Sequence, residues 1–132
     1  MEYIAGFLTA VVTVLAGKFL QLDRDRKFYP IILIIIAIIY VLFAIMGKNA
    51  TVIYAESLFA LLFIAIAIIG LKFSGIIIAA GLIGHGMFDL AHDTFVLNTS
   101  VPLWWPIYCA VVDILLGMWL FYMASIHTAK QP

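Results

Sequence analysis

Apolar residues fill this chain in five blocks, each near the ~20 residues that a helix needs to cross a hydrocarbon core, with short polar punctuation between them. The pattern predicts spans at Tyr3 to Leu20, Tyr29 to Met46, Val52 to Leu71, Gly75 to Val96 and Pro106 to Ile126. The first break, Gln21 to Lys27, is too charged for hydrocarbon. Pro30 suits the opening turn of the next helix, where its missing N–H has no intrahelical partner to lose. Gly47 to Thr51 ends the second span, Lys72 to Gly75 is a tight turn, and Asn98 to Pro102 precedes a fifth helix that starts at Pro106. The expected fold is an all-α integral membrane protein, a bundle of five transmembrane helices in which residues 1–132 form a single domain.

Composition removes the soluble alternative. The 132 residues are 67% hydrophobic and the mean hydropathy is +1.22, whereas soluble domains are about half apolar. With 11% charged residues and a net charge of zero, no nucleic-acid partner is expected. The single cysteine, Cys109, excludes an intramolecular disulfide. The N-terminus opens on Glu2 with no basic region or small-residue cleavage site, so the first span is expected to stay in the protein. Asn49 to Thr51 and Asn98 to Ser100 match the glycosylation sequon, but both lie almost against the membrane and carry little weight.

Charge sets the expected orientation. Lys18, Arg24, Arg26, Lys27, Lys72 and Lys130 fall on one side of the five spans and Lys48 alone on the other. The positive-inside rule then places the N-terminus outside and the C-terminus in the cytoplasm. Localisation is read as a cell membrane, multi-pass, of the bacterial inner-membrane type, with the lipid bilayer as first partner. Five short helices bury little among themselves, which leaves room for a homo-oligomer.

Against this background one segment is anomalous. His85, Asp89, His92 and Asp93 lie four, seven and eight residues apart, so they share a face of the fourth helix, where ionisable groups are costly and usually functional. Glu56 on the third helix and Asp113 on the fifth reach overlapping depths in the outer half. Tyr40 and Tyr54 are candidate hydrogen-bond donors at the rim, and Cys109 lies one turn above Asp113. Trp104 and Trp105 are expected at the headgroup level as a substrate rim, together with Asp93. Gly84 and Gly86 are read as positions of close helix approach.

The charge inventory sharpens the anomaly. Four carboxylates meet one basic side chain, Lys48, in that half. Each Asp is resisted by roughly 2.5–3.5 kcal/mol at mid-span, so the set needs protons, imidazolium partners or a bound cation. One reading is a divalent metal, Zn, Fe or Mn, held by His85, Asp89, His92, Asp113 and Glu56. The same residues would then serve metal-assisted chemistry on, or binding of, a lipid-like or small apolar molecule, in a pocket opening outward. A second reading is a proton-coupled transporter or ion-conducting protein using His85, Asp89 and His92. A third is a structural or oligomerising network that fixes helix register.

Three segments carry a resemblance: Arg26 to Pro30 (RKFYP), Gly84 to Asp93 (GHGMFDLAHD) and Val101 to Asp113 (VPLWWPIYCAVVD). Together they resemble a group of small, uncharacterised bacterial multi-pass membrane proteins. The resemblance implies location and topology, not chemistry.

Overall fold

The computed structural model describes residues 1–130, with side chains described through Ile126. Five helices follow one another: α1 Glu2–Phe19, α2 Phe28–Gly47, α3 Ala50–Phe73, α4 Gly75–Phe95 and α5 Trp105–Lys130, with one 3₁₀ turn, Leu22–Arg24, between α1 and α2. All five are long and apolar enough to span a membrane. The expected spans are recovered to within two residues, apart from the end of α5. The fifth helix begins at Trp105, so Pro106 occupies its first turn and Trp105 belongs to the helix.

Local chemistry sets the ends. The Asn49 side chain accepts the backbone N–H groups of Thr51 at 3.0 Å and Val52 at 3.3 Å, capping α3. Ser74 accepts from the Ile76 N–H at 3.1 Å and caps α4. Lys48 turns the chain between α2 and α3 in a left-handed conformation, φ 56°.

Helix α4 sits in the middle, packed on α2, α3 and α5, while α2 also packs along α3, and α1 packs on the far side of α5. The α4–α5 approach is close because glycines line it. A Cβ on Gly86 would lie 2.7 Å from Ile114 Cγ1 and 3.1 Å from the Ala110 carbonyl oxygen. By contrast, Gly84 meets nothing within 4 Å, so only one of the two glycines acts as expected. Toward the end of the bundle that carries the α1–α2 and α3–α4 connections, the core is apolar: Leu33, Ala67, Ile78, Leu82 and Leu116 are all buried. The polar core lies at the opposite end.

Candidate functional site: a buried histidine–carboxylate cluster

Tyrosine and cysteine aside, six polar or charged side chains are buried among the described residues: Glu56, His85, Asp89, His92, Asn98 and Asp113. Helix geometry brings five of them together. Along α4, His85, Asp89 and His92 recur on one face toward the bundle axis, and all three are buried. Asp113 lies about two turns into α5 and Glu56 nearly two turns into α3, at ~1.5 Å per residue, so both reach that face from the same end.

Two knots form. In the first, His85 Nδ1 lies 2.7 Å from Asp113 Oδ2 and 3.4 Å from Asp89 Oδ2, while the Tyr40 hydroxyl donates to Asp89 Oδ1 at 2.8 Å. In the second, His92 Nε2 lies 2.7 Å from Glu56 Oε1, which also accepts from the Asn98 side-chain N–H at 3.1 Å. Tyr40 joins the knots: its ring stacks on His92, centroids 4.1 Å apart and planes 12° apart, and its carbonyl accepts from Asn98 at 3.3 Å. Phe63 stands edge-on to His85 and Phe88 edge-on to His92, which keeps both imidazoles in an apolar wall.

Hydrogen-bond capacity is left over. Glu56 Oε2, Asp89 Oδ2, Asp113 Oδ1 and His92 Nδ1 are buried without a hydrogen-bond partner, an arrangement that costs free energy unless a proton or ion meets it. One ligand atom from each of His85, Asp89 and Asp113 lies within 4.8 Å of the others, a spacing that could hold a metal ion.

The candidates divide as follows. Glu56, His85, Asp89, His92 and Asp113 converge. Asp93 does not: its side chain is 80% exposed and stands 3.6 Å from His92 Nδ1. Tyr54 is 69% exposed and makes no hydrogen bond or ring contact with the cluster. Tyr40, expected at a rim, is instead a buried member of the site. Trp104 is half exposed, whereas Trp105 packs edge-on against Phe43 on α2. Cys109 is a buried free thiol one turn from Asp113.

Nor does the cluster open outward as expected. Its five ionisable groups are 0–1% exposed, and Asn98, from the α4–α5 connection, lies on Glu56. That connection folds onto the bundle closely enough for Ser100 Oγ to meet the space a Cβ on Gly47 would need. Asn98 was not anticipated from sequence. Its sequon pointed outward, yet its amide is buried and used.

Residues 1–126, which include every member of the cluster, match a family described as a family of unknown function (DUF6010). The chain belongs to the DUF6010 family. No curated protein and no solved structure matches it.

Proposed function

We propose that the protein is a multi-pass membrane protein whose His85, Asp89 and Asp113 hold a divalent cation, Zn, Fe or Mn, for chemistry on, or binding of, a lipid-like or small apolar molecule. One observation carries the reading: three ligand atoms from α4 and α5 converge within 4.8 Å in a fully buried setting. Around a tetrahedral metal with bonds of about 2.0–2.2 Å, neighbouring ligand atoms stand roughly 3.3–3.6 Å apart, against 3.4 Å from His85 to Asp89 and 2.7 Å from His85 to Asp113.

Charge supports the same reading. Neutral His85, two carboxylates and a divalent cation would sum to zero, so the centre would be neutral without Lys or Arg. A cation held by these three residues would supply Lewis-acid chemistry or an activated water at the cluster. The His92–Glu56 pair and the Tyr40 hydroxyl, one layer away, supply a proton acceptor and a donor.

The orientation follows from the placement of charge. Lys18, Arg24, Arg26, Lys27 and Lys72 occupy the end that carries the α1–α2 and α3–α4 connections, and Lys48 the other. By the positive-inside rule the N-terminus faces out, the C-terminus lies in the cytoplasm, and the cluster sits in the outer half of a bacterial inner membrane.

A proton path is the second reading, favoured by one observation: exposed Asp93, His92 and Glu56 form a chain from the bundle end to the cluster. Below His85 the apolar core offers it no continuation. The cation reading is tested by titrating chelator-treated protein in detergent with Zn²⁺, Mn²⁺ or anaerobic Fe²⁺ while following thermal unfolding. A ligand at 100 times its Kd stabilises by about 2.7 kcal/mol. The expected result is an upward shift of the unfolding midpoint in the wild type and none in Asp113→Asn; equal shifts in both contradict the proposal.

A further inference from the structure

A second polar feature lies at the other end of the molecule, about 16 Å along α2 from Tyr40 at ~1.5 Å per residue. There the α1–α2 connection, the start of α2, the α3–α4 turn and α5 enclose a cavity of about 530 Å³. Asp23, Asp25 and Arg26 stand in its wall, with Tyr29, Ile78 and Leu120 among the residues that line it. The cavity therefore combines a polar mouth with an apolar interior, at the level where helix ends meet headgroups. We propose that it binds the headgroup of a zwitterionic, amine-bearing phospholipid, with the phosphate on Arg26 and the ammonium at Asp23 and Asp25.

The arrangement of charge selects that ligand. Arg26 Nη2 donates to the Leu71 carbonyl at 3.0 Å, which fixes the guanidinium against α3. Four of its five N–H groups remain for phosphate oxygens. One oxygen of Asp25 accepts the Lys27 backbone N–H at 2.9 Å, holding that carboxylate in place with its second oxygen to spare. A lone phosphate at this mouth would meet two carboxylates, and a lone amine would meet a guanidinium. A zwitterion satisfies both signs at once.

The cavity wall also covers an unmet polar group. The Tyr29 hydroxyl, on a residue only 5% exposed, has no partner of hydrogen-bonding geometry. Neither does the indole N–H of Trp119, although the two lie close enough to interact. Both groups lie behind the lining, closed to the cavity itself. The acyl chains would then leave along the exposed apolar flank of α3, where Ile69 and Phe73 face outward. None of these residues belongs to the cation cluster, so this site stands or falls separately from it.

Native mass spectrometry of the delipidated full chain in detergent tests the proposal, with dioleoyl phosphatidylethanolamine, dioleoyl phosphatidylglycerol and inorganic phosphate as probes. The expected result is one phosphatidylethanolamine retained per chain, with tenfold or weaker binding in Arg26→Gln. The double variant Asp23→Asn with Asp25→Asn is expected to lose phosphatidylethanolamine and to bind phosphatidylglycerol as well as or better than the wild type. Equal binding of the two lipids by the wild type overturns the zwitterion assignment. Competition by millimolar inorganic phosphate assigns the cavity to a free anion and overturns the lipid.

Discussion

Each ionisable group of the cluster is tied to a partner on another helix, so single substitutions strand charges rather than simply deleting contacts. Removing His92 leaves Glu56 buried with only the Asn98 amide. Breaking one side of such a pair costs about 3–5 kcal/mol, and His92→Ala is expected to lower the unfolding midpoint in detergent sharply. Tyr40→Phe is expected to be milder. It keeps the ring stacked on His92 but strands Asp89 Oδ1, a loss of about 1–3 kcal/mol that a denaturant titration would read. The α4 stripe was legible because His85, Asp89 and His92 fall within an arc of ~60° at ~100° per residue. Asp93, eight residues from His85, is rotated by about 80° on the same arithmetic, and this takes it off the face. Asn98 was illegible because its burial comes from a connection folding back, which no local pattern encodes.

On α2 and α3 the buried stripe is made mainly of small and polar residues, with Leu33 and Phe63 as large apolar members. On α2 it runs Leu33, Ala37, Tyr40, Ala44, and on α3 Glu56, Ala60, Phe63, Ala67, Gly70. Lipid is as apolar as leucine, so the hydrophobic effect does not sort these faces, and close packing of small side chains does. That is why helix positions were readable from hydropathy whereas inward faces of the Ile-rich spans were not. The alanines bracketing Tyr40 were the available signal for its burial. The same logic separates two neighbouring glycines. Gly86→Val is expected to force α4 from α5 and collapse expression of folded protein, because Ile114 and the Ala110 carbonyl occupy the space. Gly84→Ala, facing open space, is expected to be neutral or to stabilise by about 0.5–1 kcal/mol through helix propensity. Melting curves of the two variants, collected side by side, check both.

At the scale of the whole molecule, polarity is segregated: a closed histidine–carboxylate cluster near one end, an apolar middle, and a basic end with its own cavity. The five-helix plan was visible in the sequence, while the closure of the cluster was not, since it depends on how the 96–104 connection lies. Orientation is checked by impermeant maleimide on whole cells in a Cys109→Ala background. Lys48→Cys is expected to label from outside and Arg24→Cys only after lysis; the reverse pattern contradicts the assignment. A hydrogen-bonded network that merely fixed helix register would be expected to hold no metal. Elemental analysis of detergent-purified protein, wild type beside His85→Ala and Asp89→Asn, therefore tests the cation centre most directly. The account predicts about one Zn, Fe or Mn per wild-type chain, lost in both variants that remain folded; a metal-free wild type, or metal retained by both variants, would contradict it.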